Sequence, residues 1–214
     1  MNHFTFFGVD LTSTEAKPSA CLELDDKLHL VYFGFLTSNT DILALLSFYS
    51  PRVIAIDAPL TLPSGLCCLE EDCSCEPKSP RKNRQCDQEL RRLGIPCYPT
   101  SKKSFVKDLI YRGIELKAMI EHRLKQFSEV IEVYPFASKV RLFGKHLPSK
   151  TTKEGTNLIR TKLGDILPAL KPYLHMFDHD LCDATLAAYT AWLYHENRTK
   201  ALGDGREGLI FIPD

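Results

Sequence analysis

The sequence predicts a mixed α/β fold, a five-stranded sheet flanked by helices, and three observations predict it. Short apolar segments rich in β-branched and aromatic residues recur along the chain and end at turn-forming residues. The first three follow one another across short turns, which makes them antiparallel. The later ones are reached through helical stretches, which return the chain parallel to its neighbour.

Phe4 to Leu11 reads as a buried strand with Asp10 at its end. Ser19 to Leu24 and Leu28 to Leu36 are the next two strands, joined at the turn-prone pair Asp25-Asp26. Thr37, Ser38, Asn39 and Thr40 offer N-caps for a helix through Ile42, Leu45, Leu46 and Tyr49, stopped by Pro51. Arg52 to Ile56 is an all-apolar run suited to the middle of a parallel sheet, and Asp57-Ala58-Pro59 ends it. Residues 60–103 break the pattern with Pro, Cys and charge, and read as an insertion carrying one short helix near Arg84 to Leu93. A long helix over about Phe105 to Phe127 leads to the strand Val130 to Tyr134, cut off by Pro135. Helices follow near Ser138–Phe143, Glu154–Leu167 and Asp178–Asn197, with Leu209 to Ile212 a candidate terminal strand.

The 214 residues fit one domain spanning 1–214, with the insertion at about 60–103. Hydrophobic residues make up 44%, enough for a core, and 25% are charged, which excludes a disordered chain. No segment resembles an export signal, and no apolar run nears the roughly 18 residues of a membrane span. The expected location is therefore the cytoplasm, with no membrane partner. The net charge is zero but uneven: residues 1–75 carry ten acids against three bases, and the remainder 24 bases against 17 acids. One basic stretch runs from Lys78 through Arg81, Arg91, Arg92, Lys102 and Lys103 to Lys107, and another from Lys139 through Lys150 to Lys153. Such clusters either neutralise phosphates, making nucleic acid the expected partner, or form an ordinary solvated surface. Arg91, Arg92, Lys102 and Lys103 are the candidate phosphate contacts.

Four acids stand where a core would not tolerate them unpaired. Asp10 ends an apolar strand behind Gly8, which leaves the backbone open to close approach. Asp57 ends the VIAI run, and ligands of open α/β sheets lie beyond such carboxyl ends. Either acid alone also suits a turn cap. Glu132 sits inside VIEVY, where alternation puts Val130, Glu132 and Tyr134 on one side; it faces either a site or water at an edge. Asp180 and Asp183 share a helix face, and Ala184, Ala187, Ala188 and Ala191 let that helix pack closely on a sheet. Asp178 or Asp180 is the natural N-cap, whereas Asp183 lies too far in for that role. Converging acids repel unless cations sit between them, and an oxygen-only set selects Mg²⁺ or Mn²⁺.

The strings GVDLT, VIAIDAPLTLP, CDQELRRLGIPCYPT, IEVYPFAS and HDLCDATLAAYTA together resemble the predicted-nuclease family of RNase H fold catalogued as domain of unknown function 429. The last string also resembles the final helix of Holliday-junction resolvases. The resemblance spans nearly the whole chain and implies an RNase H-like fold. It further implies a divalent-metal-dependent nuclease in which Asp10 bridges two metals, Asp57 and Asp183 complete the shell, and Glu132 matches a motif position. The alternatives are a nucleotide-dependent phosphotransferase, for which Thr12-Ser13-Thr14 lacks the glycines of a phosphate loop, and a non-catalytic nucleic-acid or partner-binding module.

Five of the eight cysteines crowd the insertion: Cys67, Cys68, Cys73, Cys75 and Cys86. No paired CxxC organises them. Four thiolates from this set would hold Zn²⁺ or an iron–sulfur cluster; otherwise they are reduced thiols in an insertion, with Cys21 and Cys182 in the core.

Overall fold

In a computed structural model that describes residues 4–78 and 82–214, the chain forms one mixed sheet covered by helices on both faces. Arg81 of the basic stretch lies outside the described residues. The strands are β1 (Thr5–Asp10), β2 (Ser19–Asp25), β3 (Leu30–Leu36), β4 (Val53–Asp57), β5 (Glu129–Val133), β6 (Thr199–Asp204) and β7 (Gly208–Pro213). The helices are α1 (Asn39–Tyr49), α2 (Gln85–Arg92), α3 (Lys107–Leu124), α4 (Pro135–Phe143), α5 (Lys153–Ile166) and α6 (His179–His195).

The strand order is β3-β2-β1-β4-β5-β7-β6. As expected, β1, β2 and β3 are antiparallel neighbours, while β4 joins β1 and β5 joins β4 in parallel. The sheet has seven strands, not five. Leu209–Ile212 does form a strand, β7, parallel to β5, and β6 pairs antiparallel with it. The sequence of β6, TKALGD, has little strand propensity, and its form comes from the hairpin closed through Gly208 at φ 115°.

Side-chain alternation sorts the two faces. Phe7, Val9, Ile54 and Ile56 pack against Ile42 and Leu46 of α1 and Leu116 and Ile120 of α3. Phe6, Ala55, Ile131 and Val133 pack against Ala187 and Ala191 of α6. Ser38 caps α1 in a reciprocal box with Asp41, and Asp178 caps α6 through the N–H of Leu181. No helix among the described residues is long and apolar enough to cross a membrane.

The contact that positions the site lies between α6 and β1. A Cβ placed on Gly8 would collide with the Ala184 carbonyl and the Ala188 nitrogen. Only glycine lets the helix backbone come this close, and the alanines on its inner face complete the fit.

Candidate functional site

Asp10 and Asp57 close β1 and β4 in direct register, so their side chains leave the sheet side by side on the face that α6 covers. Because α6 sits down on Gly8, Asp183 in its second turn comes over the ends of these strands. Asp10 and Asp57 are partly buried and Asp183 is buried. The structure thus groups Asp10, Asp57 and Asp183. Asp180 stands at the margin, where it adds the smallest acidic contribution to the field at Asp10 and pairs with His179 at 2.6 Å.

Two lysines, which the sequence marked only as part of a basic surface, answer this negative charge. The buried Lys139 of α4 forms an ion pair with one oxygen of Asp183, and Lys150, with 45% of its side chain exposed, pairs with the other at 2.7 Å. Three carboxylates therefore face two ammonium groups. Burial, then the charges of Asp183 and Asp57, hold the Asp10 carboxyl well above its usual range, with Lys150 pulling the other way. Asp57 is pushed up to about 8 by burial and by Asp183, against the pull of Lys150 and Lys139. For Lys150, burial works against the charge, but Asp183, Asp10 and Asp57 outweigh it and raise its pKa.

Glu132 does not join this group. It lies level with Ile56, not Asp57, so alternation turns it to the opposite face of the sheet. There Arg84, with 1% of its side chain exposed, donates to both of its oxygens at 2.7 Å. Leu60 N–H donates to Glu132 at 2.8 Å, while Arg84 also reaches Asp87 at 2.9 Å and Asp87 accepts from Thr100 N–H at 2.9 Å. This network clamps both ends of the 60–103 insertion to the sheet. Asp87 lies in one of the strings that carry the family resemblance, but nothing in the sequence ties it or Arg84 to Glu132.

Arg112 of α3 supports the loop that leaves Asp10. Its guanidinium donates to the carbonyls of Thr12, Thr14 and Thr37 at 2.9, 3.0 and 2.6 Å and to Asn39 Oδ1 at 3.0 Å. From Asp57 a cavity of about 80 Å³ runs past Tyr134 to Tyr98. Tyr98 and Phe105 are 63% and 77% exposed, and their rings meet edge to face at 4.6 Å between centroids. Seven positions apart in an irregular loop, they present no aromatic periodicity in the sequence.

A larger cleft, of about 690 Å³, is lined by Lys78, Lys82, Arg91, Lys102 and Lys103 against two acids, Glu71 and Glu76, together with Cys73 and Cys75. Arg92 is exposed but is not among its lining residues. Cys67, Cys68, Cys73 and Cys75 bring their sulfurs within 4.8 Å of one another, so these four can hold a metal ion such as zinc. They form the one His/Cys/Asp/Glu group of that tightness among the described residues. Within it the Cys75 thiol is lowered to about 6, first by backbone hydrogen bonding at Cys68 and Cys67. The Cys67 thiol is pushed up to about 12 by hydrogen bonds with Cys75, Cys73 and Cys68. Cys86 is no part of the group. It is buried with Leu90, Ile95, Leu202 and Ile210, because α2 turns its apolar side onto the β6–β7 hairpin.

Comparison with curated proteins gives no match. A family model described as a protein of unknown function (DUF429) matches residues 8–207. That span takes in the paired strand ends, the insertion and α6, and the chain belongs to the DUF429 family.

Proposed function

We propose that the protein is a divalent-metal-dependent nuclease of RNase H-like fold, hydrolysing a phosphodiester bond at Asp10, Asp57 and Asp183. The observation that carries this reading is the pairing of Asp10 with Asp57 at adjacent parallel strand ends beneath Asp183. For the fold, the support is the order β3-β2-β1-β4-β5, antiparallel first and parallel after, with β7 and β6 added at the far edge. For the metal, the support is the donor set. Asp10 and Asp57, both raised first by burial and then by neighbouring carboxylates, would be relieved by a cation, and with Asp183 they make an all-oxygen set that favours Mg²⁺ or Mn²⁺.

When bound, the ion would activate a water and stabilise charge on the leaving oxygen. Asp10 and Asp57 would hold it between the strand ends, with Asp183 above once Lys150 yields its oxygen. Lys150 is long, half exposed and suited to move onto a phosphate oxygen. Tyr98 and Phe105, beside Lys102 and Lys103, offer flat faces and positive charge to an unpaired nucleotide. Glu132 serves by clamping the insertion rather than by touching the ion.

One observation favours a second reading, a non-catalytic nucleic-acid-binding module: Lys139 and Lys150 already neutralise Asp183 from both sides. A Mn²⁺-supported cleavage panel over DNA, RNA, a junction and a small phosphate ester separates the two. The nuclease reading expects cleavage of one class, lowered at least about a hundredfold by Asp10→Asn and by Asp183→Asn. Equal activity in the variants rejects it, and no cleavage of any substrate transfers support to the module.

A further inference from the structure

The four clustered thiols sit in a segment with little else to order it. Between Ser64 and Lys78 only Leu69 is a buried apolar residue. The segment is held by a few polar contacts: Tyr111 accepts from Leu69 N–H at 2.7 Å and donates to Glu70 at 2.8 Å, and Lys78 N–H reaches the Ser64 carbonyl at 2.7 Å. Lys102 donates to the carbonyl of Cys73. A polar loop of this length, tied at so few points, calls for a staple.

The sulfur spacing identifies the staple. Cys67 and Cys73 are 3.7 Å apart, far beyond the roughly 2.05 Å of a disulfide, and all four cysteines are free. A tetrahedral zinc with Zn–S bonds of about 2.3 Å holds its sulfurs about 3.8 Å from one another. An iron–sulfur cluster distributes its four cysteines over two or four irons and so spreads at least some of them well apart, which a set confined within 4.8 Å does not match.

We infer that Cys67, Cys68, Cys73 and Cys75 bind one zinc ion, and that this ion holds the 64–78 segment as a wall of the basic cleft. Four protein sulfurs close the coordination shell, so the ion is structural and leaves no position for a substrate. Its uptake releases the thiol protons still present. Cys73 and Cys75 line the same cleft as Lys78, Lys82, Lys102 and Lys103, so fixing the sulfurs fixes one side of a groove whose charge suits the phosphates of a nucleic-acid strand. The zinc site does not depend on the carboxylate reading; the choice of nucleic acid as the groove's partner does.

Metal analysis of the full chain purified without chelator tests the ion, with Co²⁺ exchange as the spectroscopic check. Expected are one zinc per chain and, with Co²⁺, the intense visible bands and thiolate charge-transfer absorption of a tetrahedral tetrathiolate. Iron in place of zinc, fewer than four sulfur ligands, or no tightly held metal overturns the site. The groove is tested with a fluorescein-labelled single-stranded oligonucleotide, on the Cys73→Ser variant and on wild-type protein stripped of zinc, each first shown to unfold cooperatively. Affinity should fall about tenfold or more in both, and readdition of zinc should restore it in the stripped wild type only. Unchanged affinity overturns the structural role. Failure of the nuclease reading shows separately, as wild-type protein that keeps its zinc and its oligonucleotide affinity but cleaves no substrate of the Mn²⁺ panel.

Discussion

Glu132 and Asp57 lie one register step apart on adjacent strands, yet they leave the sheet on opposite faces. Asp57 shares its face with Asp10 and Asp183, whereas Glu132 belongs to a buried network with Arg84 and Asp87. Glu132→Gln should therefore act on stability and not on metal affinity. Removing one partner leaves Arg84 short of a counter-charge in a dry site, which costs about 3–5 kcal/mol. Urea denaturation should show that loss while Mn²⁺ titration of the folded variant stays within about twofold of wild type. Asp57→Asn should do the reverse, abolishing Mn²⁺ binding while stabilising the metal-free fold above pH 8. A Glu132 variant that loses Mn²⁺ binding with its fold intact would return this residue to the site.

A second buried acid lies far from any chemistry. Glu23 in β2 is fully buried, and burial raises its pKa to about 7, with the Thr5 side chain pulling the other way. Its folded value lies above its ordinary 4.5, so the associated stability is complete below that value and is lost as pH rises through about 7. Glu23→Gln removes the ionisation. Chemical denaturation should find the variant more stable than wild type at pH 8.5 by on the order of 1–2 kcal/mol, and no more stable at pH 5. A variant less stable at pH 8.5 would mean that the Thr5 contact, not burial, governs this carboxylate.

The same sign applies to Asp57, whose value is pushed from 3.8 to about 8. Between these values the folded metal-free protein holds a proton that the unfolded chain has released, so stability falls as pH rises through that window. Studied in the Glu23→Gln background, the melting temperature should drop by about 3 °C or more from pH 5 to pH 8.5. On the proposed reading Mn²⁺ would bind the deprotonated acids, so its stabilising effect should grow over the same range. Equal Mn²⁺ stabilisation at both pH values would argue that the ion binds elsewhere.

Local signals carried much of this architecture. β1, β4 and β5 are apolar runs ending at turn residues, Asp178 and Ser38 are ordinary caps, and Asp10 and Asp57 stand at strand ends where the chain would otherwise bury them unpaired. What could not be read depends on residues distant in the chain. The Arg84–Glu132 and Lys150–Asp183 pairs span 48 and 33 positions, and a cation destined for a buried acid looks in sequence like any surface cation. Alternation fixes the side of its strand on which Glu132 lies, but whether that side meets Asp57 depends on the register with β4. The cysteines lacked a CxxC repeat, so only their folded spacing separates the four that cluster from Cys86.

On the proposed reading Lys150 would compete with the cation for the Asp183 oxygen it pairs with at 2.7 Å, which makes its removal informative. With Lys150→Met, the three acids lose the more exposed of their two counter-charges. Mn²⁺ affinity measured by calorimetry should rise about tenfold, near 1.4 kcal/mol, and cleavage should nonetheless fall if the ammonium moves onto phosphate during turnover. Affinity that is unchanged or weaker would mean the lysine helps to hold the ion's ligands in place, and the exchange of Lys150 for metal would be abandoned.

Gly8 tests whether the helix contact sets the site. A methyl group there meets α6 main chain, the Ala184 carbonyl and the Ala188 nitrogen, and no rotamer change can relieve it. Gly8→Ala must push α6 outward, lifting Asp183 away from Asp10 and Asp57. The expected cost is about 3 kcal/mol from overpacking, with Mn²⁺ affinity falling in the protein that remains folded. Gly34→Ala is the matched control, because its methyl meets the hydroxyl end of Tyr32, a side chain able to swing aside at an edge strand. It should cost under about 1 kcal/mol and leave Mn²⁺ binding unchanged. Equal effects from the two substitutions would mean that strand β1 resents any side chain, and that the close approach of α6 does not place the acids.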